Sequence, residues 1–383
     1  MQSQIQNYPD VDFIEGQTLE QAIADGEAIW IAKWKECTGE DIQLHKTDEE
    51  KILIDTVAYI FYCVCKNIDN AGKMNLLKYS MNNFLDELGA RCGVIRLAAS
   101  PAQTTVKFTL TEAQAEDYTI PEGTRVSASS MDDIYFETPE DVVIPVGETE
   151  TDIICVCTTD GDAGNDIEVG VIDELIDALP YIDSVSNIKK SDGGSDTEDD
   201  DALAERIFYA PSTYSTAGTE DSYIFHAKSA SQLVGDVRVF SPQPCYVTIV
   251  ITSRRTGVPT QELINIVTSY LNERTRKVLS DRFTVTGPDT VQFDVTMTYH
   301  ISYDNQKYEE ALKQRIEESV AEYISWQTTK IGRNITPTKL IQLAMEAGAS
   351  RVELSYPEWA DVDEDEIAVL DNMSITYGGL END

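Results

Sequence analysis

Two hydrophobic periods divide the chain near residue 97. Before it, apolar side chains recur every three to four positions, the spacing that lines one face of a helix. Over residues 17–37 this pattern sets Trp30 and Trp34 one turn apart. Thr47-Asp-Glu-Glu50 then reads as a capping box, in which a hydroxyl and a carboxylate three residues on satisfy the first free amides of a helix. The helix it opens carries Leu53, Val57, Ile60, Phe61 and Val64. A further helix over about 75–88 is predicted from Leu77, Met81, Phe84, Leu85 and Leu88, ending in a left-handed turn at Gly89. The two stripes share one spacing, so they are expected to face each other, a third helix or helices of other chains.

Beyond residue 97 the period falls to two. Val106, Phe108 and Leu110 alternate with polar neighbours, as do Val142, Ile144 and Val146, then Ile153 and Cys155, around turns at Pro121-Glu-Gly and Gly161-Asp-Ala-Gly. The acidic run Asp196 to Asp201 precedes Leu203, Ile207 and Tyr209, which places it at a helix N-terminus, where carboxylates complement the dipole. Another helix is expected after Ala217-Gly-Thr219, running through Tyr223 and Ala227. Strands follow over 236–240 and 245–252, a helix over 260–277, and strands over 282–287 and 291–301. In the last of these Val291, Phe293, Val295, Met297, Tyr299 and Ile301 share one face, so the strand is either central or a pairing edge. Helices over about 306–326 and 337–347 come next, the second with Thr336 as cap, Pro337 at its first position and Gly348 after its end. Short strands over 351–355 and 373–377 complete the pattern.

The order predicts a multidomain α+β protein: a helical arm over 1–97, a β-rich domain over 98–195, a helical connector over 196–235, and a C-terminal α+β domain with an antiparallel sheet over 236–383. At 383 residues, 42% of them hydrophobic, there is material for real cores.

Charge narrows the choice of partners. The 68 acidic residues against 29 basic give a net charge of −39, and residues 101–235 hold 29 of the acids against 6 bases. Such a surface repels phosphate backbones and anionic membrane faces, so no nucleic acid is expected as a partner. No apolar run approaches the ~18 residues of a membrane span, so no membrane insertion is expected, and the opening Met-Gln-Ser-Gln-Ile-Gln-Asn lacks the features of a secretion signal. Seven cysteines, an odd number, read as reduced thiols made in a cytoplasm. Cys63-Val-Cys65 and Cys155-Val-Cys157 are spaced more tightly than common zinc patterns, and the second pair is expected on one strand face. Asp160-Gly-Asp-Ala-Gly-Asn-Asp166 departs from a calcium loop in the place of its glycine and lacks the twelfth-position glutamate.

Catalytic signatures are missing. His45, His226 and His300 stand isolated, and there is neither a phosphate-binding glycine loop nor a nucleophile elbow. No enzyme activity, metal or cofactor is expected. An assembly protein is therefore weighed against a carbohydrate-binding or carbohydrate-active component. The 18 tyrosines show no clustered stacking platform, which favours assembly.

The junction Leu85-Asp-Glu-Leu-Gly89-Ala-Arg-Cys-Gly93-Val-Ile-Arg96-Leu97 is followed, in order, by Pro121-Glu-Gly-Thr124, Phe136-Glu-Thr138, Gly161-Asp-Ala-Gly-Asn165 and Gly194-Ser-Asp-Thr-Glu-Asp-Asp-Asp-Ala-Leu-Ala-Glu-Arg206. In that order and spacing they resemble the baseplate J family, the wedge proteins of contractile phage tails and of phage tail-like bacteriocins (tailocins). The resemblance implies a structural wedge subunit in which two copies of the chain, in different conformations, join a smaller wedge partner. Six wedges ring the central spike hub, with the hub and a sheath initiator as further partners, and switch conformation to release the sheath. It further implies that the arm residues Val57, Ile60, Phe61, Val64, Leu77, Met81, Phe84 and Leu88 enter an inter-chain helix bundle. Gly89, Gly93 and Arg96 would form the hinge, and the C-terminal domain would meet a second copy. The chain would be made in a bacterial cytoplasm and carried in the baseplate of a virion or tail-like particle.

Overall fold

The computed structural model describes residue 5 and residues 7–381, apart from 15, 17, 129–132, 216–217, 274–275 and 277–280. Ala217, most of the opening heptapeptide and parts of the segment 274–277 expected to be helical therefore lie outside the described residues. The chain divides into two compact units: residues 1–96 with 199–211, and residues 97–198 with 212–383.

The first unit is helical. Helix α1 (Leu19–Thr38) starts where the Thr18 side chain accepts from the Gln21 amide and stops at Gly39. Helix α2 (Glu49–Lys73) has Asp48 as its N-cap. The Thr47 capping box does not form, because Asp48 turns its carboxylate back to the His45 amide at 2.7 Å. Residues 8–13 run across the end of α2. Phe13 donates its amide to Asp69, its ring sits where Gly72 leaves room, and Lys73 binds Asp12 and Asp69 at 2.7 and 2.8 Å.

The helix predicted over 75–88 is two structures instead. Residues 74–80 make tight turns, Met81 is extended, and helix α3 covers Asn82–Arg91. Its amide at Asn82 is capped by Asp200 Oδ2 at 2.8 Å, from 118 residues away. Asp200 belongs to helix α4 (Asp200–Tyr209), which packs beside α3 and is started by the Asp199 side chain accepting from the Ala202 amide.

The second unit opens with eight strands: β1 (Pro101–Leu110), β2 (Tyr118–Ile120), β3 (Arg125–Ser127), β4 (Tyr135–Glu137), β5 (Val142–Ile144), β6 (Glu150–Asp160), β7 (Glu174–Leu175) and β8 (Ile182–Asn187). One sheet runs β7-β3-β4-β6-β1-β8, and its ends β7 and β8 return beside each other, so the sheet nearly closes; β2 and β5 form a separate pair. Period-two alternation turns Val106, Phe108 and Leu110 inward with Phe136, Ile153, Cys155 and Cys157, all buried. Cys155 and Cys157 do share one face.

Two of the sequence motifs are clasps inside this domain. Thr124 and Thr138 are buried and both hydroxyls donate to the Pro121 carbonyl at 2.7 Å, while the Thr138 hydroxyl also accepts from the Thr124 amide at 3.1 Å. The Asn165 side chain binds both backbone groups of Gly194, donating to its carbonyl at 2.8 Å and accepting from its amide at 2.9 Å. A side chain at 194 would overlap the Gly161 carbonyl oxygen and crowd the Ala102 amide nitrogen at 3.0 Å. Asp196 accepts from the Asp162 amide, so the calcium-like loop is closed by backbone and side-chain bonds of its own chain.

The remainder is α+β. Helix α5 (Glu220–Ala230), with Thr219 at its N-cap, precedes β9 (Val234–Gln243), β10 (Tyr246–Ser253), helix α6 (Gln261–Leu271) and β11 (Arg282–Thr286), with sheet order β11-β10-β9. Strand β12 (Asp289–Ser302), helices α7 (Glu309–Thr328) and α8 (Pro337–Ala347), and strands β13 (Arg351–Tyr356) and β14 (Glu366–Glu381) follow, with sheet order β13-β12-β14. The single antiparallel sheet expected here is two mixed sheets. β10 pairs parallel with β11 and β12 parallel with β14, because a helical crossover lies between the members of each pair. β12 is central, which removes it as a pairing edge. Its buried face carries Phe293, Val295, Met297, Tyr299 and Ile301 against Ile316, Val320 and Tyr323 of α7 and Leu340, Leu343 and Ala344 of α8.

The Asn165–Gly194 clasp generates a prediction. Gly194→Ala forces backbone apart and should cost about 2–4 kcal/mol, and Asn165→Ala, which strands two buried backbone groups, about 1–3 kcal/mol. Amide hydrogen exchange in β1 and β6 of the full chain should accelerate at least tenfold in both variants. Wild-type protection in Gly194→Ala would show that the clasp does not hold the domain.

Candidate assembly interface

Helix α2 is apolar on two adjacent faces. Ile54, Ala58 and Cys65 are buried on the face that packs against α1, where Ala22 is also buried and Gly26 leaves room for Ile54. Roughly a quarter turn away at 100° per residue, Leu53, Val57, Ile60, Phe61, Val64 and Ile68 form a continuous row. Each keeps between 47% and 57% of its surface exposed. The charged residues of α2 in that span, Asp55 and Lys66, fall on the opposite side by the same period.

The second stripe is broken by the turn at residues 74–80. Met81 and Phe84 are exposed, Leu85 is fully buried, and Leu77 and Leu88 are half-buried. The two stripes therefore do not cover each other. Ile68 extends the exposed row and was missed, although its spacing of four from Val64 is plain in the sequence.

At the end of α3, Gly89, Gly93 and Arg96 have distinct roles. Gly89 does not end the helix: α3 continues to Arg91, and Gly93 takes the left-handed conformation at φ 72°. Gly89 is needed for close packing, since a side chain there would meet the Val94 carbonyl at 2.9 Å and Ile207 at 3.2 Å. Arg96 binds Asp86 through Nε at 2.8 Å and Asp200 through Nη2 at 2.7 Å. Burial pushes the Asp200 carboxyl up, but the Asn82 amide and the Arg96 guanidinium outweigh it and hold the group below its ordinary 3.8. Arg206, buried in the same unit, donates to the Ile95 carbonyl.

In the second unit Leu97 is held at once by another acid of the same run: its amide donates to Glu198 Oε2 at 2.9 Å. Gln232 donates to the Leu97 and Ala98 carbonyls at 3.0 and 2.6 Å. The acidic run thus has specific duties beyond a helix dipole. Glu198 fixes Leu97, Asp199 caps α4, and Asp200 caps α3 and holds Arg96. The chain crosses between the units three times, after residues 96, 198 and 211.

The groups that could carry chemistry are dispersed. Among the described residues no three His, Cys, Asp or Glu are grouped to hold a metal. Burial pushes the Cys155 thiol up to about 12, so it is protonated at neutral pH. His45 is exposed, burial lowers the His226 imidazole, and His300 lies 3.1 Å from Arg351 Nη2. The depressions along α6 (Asn265, Ile266, Ser269, Tyr270, Glu273) and α7 (Glu310, Ala311, Lys313, Gln314, Glu317) are open furrows without a paired nucleophile and base. No described helix is long and apolar enough to cross a membrane.

Comparison with known proteins agrees with this picture. Residues 105–194 match the Baseplate J-like protein barrel domain, residues 215–287 the Baseplate J-like central domain, and residues 291–376 the Baseplate J-like protein C-terminal domain. Baseplate protein J of Escherichia phage P2 is 30% identical over 161 residues, 42% of this chain and 52% of that protein, so the match spans about half the length of the relative. The baseplate of the anti-feeding prophage, solved by cryo-electron microscopy, contains a chain similar over 95% of this one and 94% of its own, at 12% identity and a TM-score of 0.39, a level that adds nothing to the assignment. Three adjoining domain matches, barrel, central and C-terminal in chain order, place this protein in the Baseplate J-like family.

Proposed function

We propose that the protein is a structural component of a contractile-tail baseplate, acting as a wedge subunit rather than as an enzyme. The single observation that carries this reading is the uncharged apolar row on α2, which the helical unit leaves about half exposed. Exposed apolar area of this extent on a soluble protein marks a surface that another helix covers. Its fitting partners are a second copy of the chain and a smaller wedge protein, together completing a helix bundle with Met81 and Phe84 at its margin. Contacts with a spike hub and a sheath initiator belong to the same reading, as does synthesis in a bacterial cytoplasm and residence in a phage tail or tail-like particle.

Switching needs a joint that is stable but reversible. The Arg96 tie to Asp86 and Asp200 fits that need: charge-assisted bonds of partly exposed groups, each worth little alone, at the point where the chain first leaves the helical unit. A homotypic contact in the C-terminal domain would use the outer strands β13 and β14, since β12 is enclosed between them.

Two outcomes are expected. Ile60→Asp with Val64→Asp should leave the chain folded by circular dichroism, because both side chains are on the surface, yet remove it from assembled particles. Intact particles carrying the double variant would count decisively against the bundle. The Asp200 carboxyl is depressed in the folded state, so its stabilisation is fully present above pH ~3.8, its ordinary value, and is lost as pH falls through the folded value. Asp200→Asn should therefore cost about 1 kcal/mol at pH 7, discounted for exposure, and flatten the acid dependence. Hydrogen exchange of the α3 amides from pH 7 to pH 3 reads this directly. Equal acid sensitivity in wild type and variant would remove Asp200 from the joint.

A further inference from the structure

Between β13 and β14 the chain makes a loop, residues 357–365, whose backbone is pinned along its length. Pro357 is buried, and Val362 joins the core under the C-terminal sheet. Ala360 and Ile335 exchange backbone bonds at 2.9 and 3.4 Å, the Val362 amide donates to Asn334 Oδ1 at 2.9 Å, and the Asp289 amide donates to the Asp365 carbonyl at 3.2 Å. On this fixed frame two large aromatic side chains face outward: Tyr356, half exposed, and Trp359, 60% exposed. Trp359 stacks on no ring or cation among the described residues. Nothing in the fold explains an exposed tryptophan on a rigid loop. Such residues are the commonest anchors of protein interfaces, because they bring large area at little conformational cost.

The surroundings select the partner. Glu358, Asp361, Asp363, Glu364, Asp365 and Glu366 crowd the same stretch, and the sequence contains no lysine, arginine or histidine after Arg351. Glu358, Asp361, Asp363, Glu364 and Asp365 take part in no ion pair among the described residues. A cation meeting this loop would gain both the aromatic faces and several free carboxylates, since Lys and Arg stems lie along rings while their heads reach acids. The same loop of a second copy does not fit it, because each loop would present carboxylates alone. A neutral glycan gains nothing from the carboxylates, and an anionic one is repelled.

We propose that the Tyr356–Glu366 loop is a docking element for a Lys/Arg-bearing segment of another protein, with Trp359 as its anchor. That this protein is a neighbour in the baseplate rests on the function proposed above. The loop is distinct from the α2 row: one is polar-rimmed and selective for charge, the other apolar.

The test has two arms. In the first, p-benzoylphenylalanine replaces Trp359 in the full-length chain, particles are purified, and the photo-crosslinked peptide is identified. A single other protein, joined at a peptide rich in Lys or Arg, is expected. Crosslinks to an identical chain, to lipopolysaccharide, or to nothing although the chain is incorporated would overturn the docking role. Absence of the wild-type chain from the same particles would instead sink the baseplate reading, and the second arm then decides the loop. There the purified full chain is titrated with an octa-arginine peptide. Trp359→Ala and the triple variant Asp361→Asn, Asp363→Asn, Glu364→Gln should each weaken binding at least fivefold, whereas Glu317→Gln with Glu322→Gln, which removes two exposed charges elsewhere in the domain, should leave it unchanged. Equal loss in that control would reduce the effect to net charge and end the proposal.

Discussion

The hydrogen bond from the Asn82 amide to Asp200 ties together two helices separated by the whole barrel in sequence. Much else in the first unit depends on it. With Asp200 in place α3 has a start, Arg96 has its second carboxylate, and Gly89 allows Ile207 to approach. The helical unit is consequently discontinuous: its last helix is supplied only after residues 97–198 have been made. A discontinuous unit cannot be detached by cutting the chain at one point, and its stability includes closure of a long loop, whose entropic cost grows only slowly with length.

The two-faced helix α2 sets the other constraint. One face satisfies the unit's own core, and the adjacent row is surplus to it. Such a chain risks association with itself, and the net charge of −39 opposes that by long-range repulsion between copies. Apolar burial acts only at contact, whereas the repulsion reaches out until salt screens it beyond about 8–10 Å. Charge and apolar surface thus act at different distances.

Much of this was legible in the sequence, for local reasons. The alternation of Phe293 to Ile301 located a buried strand, Pro337 and Gly348 bracketed α8, and the apolar rows of α2 and β1 were read correctly as rows. What failed depended on distant partners. The break at Met81 is invisible without Asp200, and Gly89 reads as a helix end unless Ile207 is known to press on it. Parallel pairing of β12 with β14 leaves no local trace, because alternation reports which face is buried and not which way the neighbour runs. The motif glycines and Asn165 were recognisable as landmarks, whereas their mutual clasp was not. The sequence identified the α2 row, and only the structure showed that the helical unit's own packing leaves it about half exposed. The exposed pair Tyr356 and Trp359 escaped notice because two aromatics three residues apart resemble any strand end until their burial is known.

The sealed thiols of the barrel have a consequence for durability. Cys155 and Cys157 point into the apolar core of the barrel, and burial keeps Cys155 protonated. Oxidants attack the thiolate and must also reach the sulfur, so Cys155 is shielded by its protonation and by burial, and Cys157 by burial, as long as the sheet stays shut. Two cysteines facing inward on one strand are thus kept out of reach of solvent without being tied in a disulfide.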